Sequence, residues 1–236
     1  MKVVSSPSYE VDEALHAQLA GKYSSFMPEF AEFKVGPSTV RVDTRIMDGL
    51  IRTPGQEAGF NLSILWQRLL KICGRLRITG WFLNIAVVLD EAVSEPLHMT
   101  FEDESDGPPW GYVFFPPSQL NSPLAHFAFV LLHELCHCLL DIQEPKSPKE
   151  IYDYEFLVDV LSIAALREVF PPHSSEYIET IQSLSCVAAE EMKDRLGPDV
   201  QREILRDPQA YLPNMVEILR DHTEGHGLAV SAEKAV

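Results

Sequence analysis

Positive charge is missing from the middle of this chain. No Lys or Arg lies between Arg77 and Lys146, although ten Asp or Glu residues do, and the formal net charge of the chain is −16. A negative potential repels phosphate backbones and attracts cations. The charge therefore argues against a nucleic-acid partner and favours ligands with basic groups, although the acidic run at 102–106 is also typical of a solvated loop that serves solubility.

Long apolar segments and paired cysteines are absent as well. No uncharged apolar run approaches the length that spans a bilayer, and the first seven residues lack the apolar stretch of a signal peptide. We therefore expect a cytoplasmic protein with no membrane partner. The four cysteines, at 73, 136, 138 and 186, form no C-x-x-C pair, so disulfides are not expected.

The most informative segment that is present is His133-Glu134-Leu135-Cys136-His137. Residues four apart on a helix project from the same face, so His133 and His137 can bind one metal ion from a single rigid element. Glu134, the next residue along the helix after His133, then lies near that metal but is rotated away from the helix face that the two histidines share. Its carboxylate is suited to act as the general base of a metal-assisted hydrolysis.

Local signals place this motif on a helix. Ser122 is a good N-cap, Pro123 fits the first helical position, and no Gly or Pro follows up to Leu140. We predict a helix over about 123–141. Outside the three motif residues its stretch from 127 to 140 is apolar throughout, so polar groups buried there need partners.

A second helix is predicted over 148–169, because Ser147-Pro148-Lys149-Glu150 forms a capping box. A catalytic zinc site usually takes three protein ligands. Within 154–166 of this helix the only ionisable carboxylates are Glu155 and Asp159, four residues apart, and a neighbouring cation would offset the cost of burying both. We predict that Glu155 is the third zinc ligand, with Asp153 as its rival, and that Asp159 holds the N–H of a liganding histidine.

The pattern H-E-x-x-H followed by E-x-x-x-D resembles the gluzincin branch of the zincin metallopeptidases, and the short gap between its halves resembles compact members such as the ImmA/IrrE-like peptidases. The likeness covers roughly residues 80–170. It implies an α+β, zincin-like fold in which a small twisted sheet packs on the active-site helix. It also implies a Zn²⁺ cofactor and hydrolysis of peptide bonds by a zinc-bound water, with a peptide or protein as the substrate. The Gly and third His of the metzincin continuation are absent from this sequence.

The remaining elements follow from periodicity. Helices are predicted at 8–23 and 57–73, and strands at 81–89, 97–101 and 111–115, the last taken as the edge strand that receives substrate. We divide the chain into an N-terminal helical region (1–80), a catalytic core (81–170), a C-terminal helical region (171–222, with helices near 174–196, 200–206 and 209–221) and a disordered tail (223–236). No oligomeric state follows from the sequence.

No residue is singled out for stabilising the transition state. The candidates are Tyr152, Tyr154, His173 and Tyr112, each of which also fits a structural role. Cys136 and Cys138 are weaker candidates for zinc ligands, because a small buried hydrophobe is the commoner role of such thiols.

Two alternative functions remain open. A zincin scaffold could bind zinc without catalysis, as a sensor or interaction module, although the presence of Glu134 favours catalysis because a closed structural zinc site needs no general base. A di-iron carboxylate protein would use two E-x-x-H motifs, and 95–98 forms a second copy. Pro96 and the strand-like flanks of that copy argue against the helix that such a site requires.

Overall fold

The chain folds around one mixed sheet with helices on both of its faces. The computed structural model describes the following residues: 2–5, 13–25, 29–35, 38–46, 62–75, 84–102, 110–140, 148–170, 207 and 210. The elements in chain order are β1 (Lys2–Ser5), α1 (Glu13–Ser25), β2 (Phe30–Val35), β3 (Ser38–Asp43), α2 (Leu62–Arg75), β4 (Asn84–Leu89), β5 (Leu97–Glu102), β6 (Trp110–Phe115), a 3₁₀ turn (Pro117–Asn121), α3 (Leu124–Leu140) and α4 (Pro148–Val169).

Within the described residues, the sheet has six strands in the order β1-β5-β6-β4-β3-β2. Strands β6, β4 and β3 run parallel, whereas β5 is antiparallel to β6, β2 to β3, and β1 to β5. Parallel neighbours need a crossover connection, and α2 lies in the chain between β3 and β4. The antiparallel strand β5 lies beside β6 and also contacts α3.

Two apolar cores lie on the two faces of the sheet. Side chains alternate along β4, so that Ile85 and Val87 join a core with α2, α3 and α4, while Ala86 and Val88 join a second core with α1. We call these the α2–α4 core and the α1 core. Burial on both faces explains why β4 is apolar without interruption from Ile85 to Leu89.

Helix α3 lies unusually close to the sheet where it passes β6. A Cβ added at Gly111 would lie 3.0 Å from the Cβ and Sγ of Cys138 and 3.1 Å from Cδ1 of Ile85. These distances are shorter than an ordinary carbon contact of about 3.5–4.0 Å. The absence of a side chain at Gly111 therefore lets the last turns of α3, which carry the H-E-x-x-H motif, rest directly on the sheet.

The α+β class is confirmed, as are the predicted helices that became α3 and α4. Helix α3 begins one residue later than expected, because the carbonyl of Pro123 accepts the first helical bond, from the Phe127 N–H. The choice of 111–115 as the edge strand is wrong, because β6 lies between β5 and β4; among the described strands, β1 and β2 are the outermost.

The N-terminal region contributes more than helices, because β1, β2 and β3 are three of the six described strands of the sheet. The helices predicted between 174 and 221 and the predicted tail lie outside the described residues, apart from Asp207 and Ala210. Among the described helices, none is both long and apolar enough to cross a membrane.

Candidate active site

The two histidines of the motif turn their rings toward each other. His133 Nε2 and His137 Nε2 lie 3.0 Å apart, and the rings meet edge to face with centroids 4.7 Å apart. This arrangement follows from their spacing, since residues i and i+4 lie one above the other on a helix. His137 is 5% exposed, whereas the side chain of His133 keeps 22% of its surface accessible. The pair is thus largely buried but open to solvent at one side.

Helix α4 fixes the orientation of the first imidazole. Asp159 Oδ1 lies 3.0 Å from His133 Nδ1, a contact that the sequence predicts for Asp159. A carboxylate only accepts hydrogen bonds, so Nδ1 carries the proton and donates it. In a neutral imidazole this leaves a lone pair on Nε2, directed at His137. Asp159 thereby selects the tautomer that a metal ligand needs.

Glu134 is buried beside this pair. It is 9% exposed, and its Oε2 lies 2.9 Å from Nδ1 of His98, on β5. Burial raises the pKa of this carboxyl, but the hydrogen bond from His98 and the electrostatic interactions with His98, His133 and His137 outweigh that effect and hold the pKa below its usual range. Glu134 is therefore ionised near neutral pH and able to accept a proton.

His98 is the residue of this site that sequence reasoning missed. It is 7% exposed, and its ring stacks on that of His137 with centroids 4.6 Å apart and an angle of 9° between the planes. It lies opposite Val113 in the β5–β6 pairing, on the face of the sheet that packs against α3. The available signal was a lone histidine in a strand. In the sequence, His98 stands out only as the last residue of the second E-x-x-H copy at 95–98.

The donor chemistry fits zinc. Neutral imidazole nitrogen is a common zinc ligand, and two such nitrogens face each other here, one of them with its tautomer fixed by a carboxylate. Within the described part of the chain, no three His, Cys, Asp or Glu side chains form a group that could hold a metal. The predicted third ligand, Glu155, lies on α4 one turn before Asp159, and its side chain is outside the described residues.

Of the other predicted residues, Tyr112 is the one whose side chain the structure describes, and it lies away from the site. Tyr112 is 1% exposed and belongs to the α1 core, because Gly111 faces α3 and the next residue of a strand faces the opposite way. Tyr152, Asp153 and Tyr154 lie on α4, but their side chains are outside the described residues, as is the whole of His173.

The two motif-helix cysteines pack as small apolar residues. Cys136 and Cys138 are buried thiols, with Cys136 Sγ 3.6 Å from Ser162 Oγ and Cys138 against β6. The second E-x-x-H copy is not helical: Glu95 is an exposed residue in a bend, and His98 lies in β5. This placement removes the structural basis of the di-iron alternative.

Away from the H-E-x-x-H motif, a polar pocket of about 470 Å³ lies at the carboxyl ends of β3 and β4. Its buried carboxylates are already paired. Asp43 accepts hydrogen bonds from Arg45, and Asp90 accepts from Lys22 Nζ and from the Tyr23 hydroxyl, each at 2.7 Å. Burial, together with the neighbouring Asp90, raises the pKa of Tyr23 well above its usual range. These contacts tie α1 to the strand ends, and they give the pocket a structural explanation.

Comparison of the chain with protein-family models, with curated proteins and with solved structures finds no match in any of the three. The geometry of the site is therefore the basis for assigning a function.

Proposed function

We propose that this protein is a zinc-dependent metallopeptidase of zincin-like fold. The observation that supports this most strongly is the pair of imidazole nitrogens, His133 Nε2 and His137 Nε2, 3.0 Å apart and backed by Asp159. A buried carboxylate, Glu134, lies on the same helix turn. A closed structural zinc site has no use for such a base, so its presence favours hydrolysis.

Each residue has a distinct role in this proposal. His133 and His137 bind the zinc ion through Nε2, Glu155 completes the set of protein ligands, and Asp159 holds His133 in the required tautomer. A bound zinc ion supplies Lewis acidity, which makes a water molecule more acidic and a carbonyl carbon more electrophilic.

Glu134 moves the proton. As the water oxygen bonds to the peptide carbonyl carbon, one O–H bond breaks and the proton passes to the Glu134 carboxylate. When the C–N bond breaks, the same proton is delivered to the leaving nitrogen. One water is consumed, a carboxylic acid and an amine are formed, and Glu134 returns to its ionised state. The depressed pKa of this carboxyl keeps it ready for the first transfer.

The proposed substrate is a peptide or an extended protein segment. The absence of Lys and Arg between 77 and 146 gives the segment that bears the motif a negative charge, which favours substrates with basic residues. Binding pockets for individual substrate side chains are not assigned.

Glu134→Gln tests the assignment of the base. The amide keeps the size of the side chain but cannot take up the proton, so we expect zinc content and folding to be unchanged and cleavage of a fluorogenic peptide library to fall by at least about 100-fold. Glu95→Gln, at an exposed position in a bend, is the matched control and should leave cleavage unchanged.

Three results bear on the proposal as a whole. Full activity of the Glu134 variant refutes the base. A zinc-loaded wild-type chain that cleaves no peptide of the library refutes catalysis and favours a zinc-binding module. For the third ligand, Glu155→Ala is expected to lose zinc while Asp153→Ala retains it, as measured by elemental analysis after dialysis.

A further inference from the structure

His98 brings a strand of the sheet into contact with two residues of the motif helix. Its Nδ1 lies 2.9 Å from Oε2 of Glu134, and its ring stacks on His137. The side chains of His98 and Glu134 are only 9% and 11% exposed. A buried pair of this kind is isolated from bulk water, so each group depends on the other for its hydrogen bond.

The direction of this hydrogen bond is fixed by the chemistry of its partners. An ionised carboxylate cannot donate, so the proton lies on His98 Nδ1 and points to Oε2. A charge-assisted bond of this type is stronger than a neutral one, and it restrains the terminal torsion of the glutamate, which is otherwise broad. With Oε2 engaged by His98, Oε1 is the oxygen left to take up a proton.

Packing restrains the imidazole in turn. The stack on His137 has nearly parallel planes, and the backbone of β5 at this position is paired with β6 at Val113. His98 is therefore anchored to the sheet while Glu134 is anchored to α3. The hydrogen bond between them joins residues that are 36 positions apart in the chain. It sets the position of the Glu134 carboxylate relative to both imidazoles of the motif.

We propose that His98 is a positioning residue for hydrolysis: by donating Nδ1–H to Oε2 of Glu134 and stacking on His137, it holds the carboxylate with Oε1 aimed at the attacking water. This inference rests on the proposed peptidase function, because positioning has a kinetic consequence only if Glu134 transfers a proton. His98 acts through Glu134 and does not itself exchange a proton with the substrate.

Three substitutions separate the hydrogen bond from the packing. His98→Asn places an amide N–H where Nδ1–H stands, His98→Gln places it near Nε2 instead, and His98→Phe keeps a flat ring for the stack but has no donor. Misplacement of a catalytic group by about 1 Å can cost about 100-fold in rate. With the zinc-loaded full chain and a fluorogenic peptide library, we expect kcat of the Phe variant to fall about 10- to 100-fold while KM and zinc content stay within about twofold.

Rescue by one amide and not the other is the decisive result. The Asn variant should recover most of kcat, and the Gln variant should remain close to the Phe variant. A merely structural histidine predicts instead that kcat follows thermal stability across the three variants. If the Phe variant keeps wild-type kcat under conditions in which Glu134→Gln is inactive, the inference about His98 is overturned and the peptidase function stands.

A measurement on the metal-free wild-type chain tests the contact without any activity. Long-range ¹H–¹⁵N correlation spectra distinguish the two imidazole tautomers, and the His98 signals are identified by their loss in the Phe variant. We expect the proton on Nδ1. A proton on Nε2 alone overturns the inference, since Nδ1 could not then donate. If the tautomer is as expected but the wild-type chain cleaves no peptide, the peptidase function fails, and the catalytic role of His98 fails with it.

Discussion

Removal of the Asp159 carboxylate should weaken zinc binding without unfolding the protein. Asp159 Oδ1 holds His133 Nδ1 at 3.0 Å, and in Asp159→Ala the imidazole loses the partner that fixes its tautomer and ring angle. Loss of such a partner typically lowers metal affinity by about 10- to 100-fold. At 25 °C this corresponds to about 1.4–2.8 kcal/mol of binding free energy.

The structure places the expected effect near the lower end of that range. The side chains of His133 and Asp159 are 22% and 17% exposed, so water can take over part of the lost hydrogen bond. We therefore expect a decrease in affinity of about tenfold for Asp159→Ala. Asp159→Asn, whose amide oxygen still accepts from Nδ1–H but carries no charge, should fall between the alanine variant and the wild type.

The assay is a competition titration of the metal-free chain with zinc against a chromophoric chelator, with circular dichroism to check folding. Glu168→Ala is the matched control, because Glu168 is a part-buried carboxylate on the same helix, at 18% exposure, that pairs with Arg68. Its zinc affinity should equal that of the wild type. Equal affinities for the Asp159 and Glu168 variants would refute the reasoning, since the hydrogen bond to His133 would then contribute nothing to the metal site.

Three further predictions concern packing, pH and charge. Gly111→Ala should destabilise the protein by about 1–3 kcal/mol in urea unfolding, because its new Cβ would meet Cys138 at 3.0 Å, whereas Gly21→Ala, which meets no described atom within 4 Å, should not destabilise it. Burial raises the pKa of Asp90, but hydrogen bonds from Lys22 and Tyr23 lower it more, so the folded pKa is depressed. The stability that this group contributes is complete above about pH 4 and is lost as the pH falls through the folded pKa, and Asp90→Asn should therefore reduce the loss of stability in acid. Finally, kcat/KM for peptides with basic residues should exceed that for acidic analogues and should converge with it as salt is raised.

Each of these has an outcome that contradicts it. Equal stability of the two alanine variants would show that α3 shifts without cost at Gly111. An acid-unfolding profile of Asp90→Asn parallel to that of the wild type would exclude Asp90 as a source of the pH dependence. A preference for basic peptides that does not change with salt would point to a specific pocket instead of the overall field.

Local contacts of the site were predictable from the sequence, and distant ones were not. The facing imidazoles of His133 and His137 follow from their spacing on one helix, whose apolar pattern and caps are visible in the sequence. To predict the contact between Asp159 and His133, one must also assume that α4 packs against α3. His98 reaches Glu134 only because β5 pairs with β6 and α3 packs on that pair, a relation that no spacing rule contains.

The missed strands have a related explanation. In β2 and β3 the apolar residues Phe30, Phe33, Val40 and Val42 are interspersed with Glu, Lys and Arg, and the runs are only six residues long. Such short strands are stabilised by their neighbours more than by their own composition. Here β3 is stabilised by its pairing with β4, whose apolar sequence from Ile85 to Leu89 indicates a buried strand. A strand pair at the margin of a sheet is hard to assign before the sheet itself is known.

The two-sided burial of the sheet has a consequence for dissecting the molecule. The α2–α4 core that supports α3 includes Val40, Val42, Leu65, Trp66 and Leu69, all of which precede residue 80. A truncated chain that starts at residue 81 would keep the whole H-E-x-x-H motif. It would, however, expose to solvent the apolar faces of α3 and β4 that pack in the α2–α4 core. Such a fragment should aggregate or remain molten in isolation, and limited proteolysis of the intact chain should release no stable piece corresponding to 81–170. The autonomous folding unit therefore extends well upstream of the helix that carries the H-E-x-x-H motif.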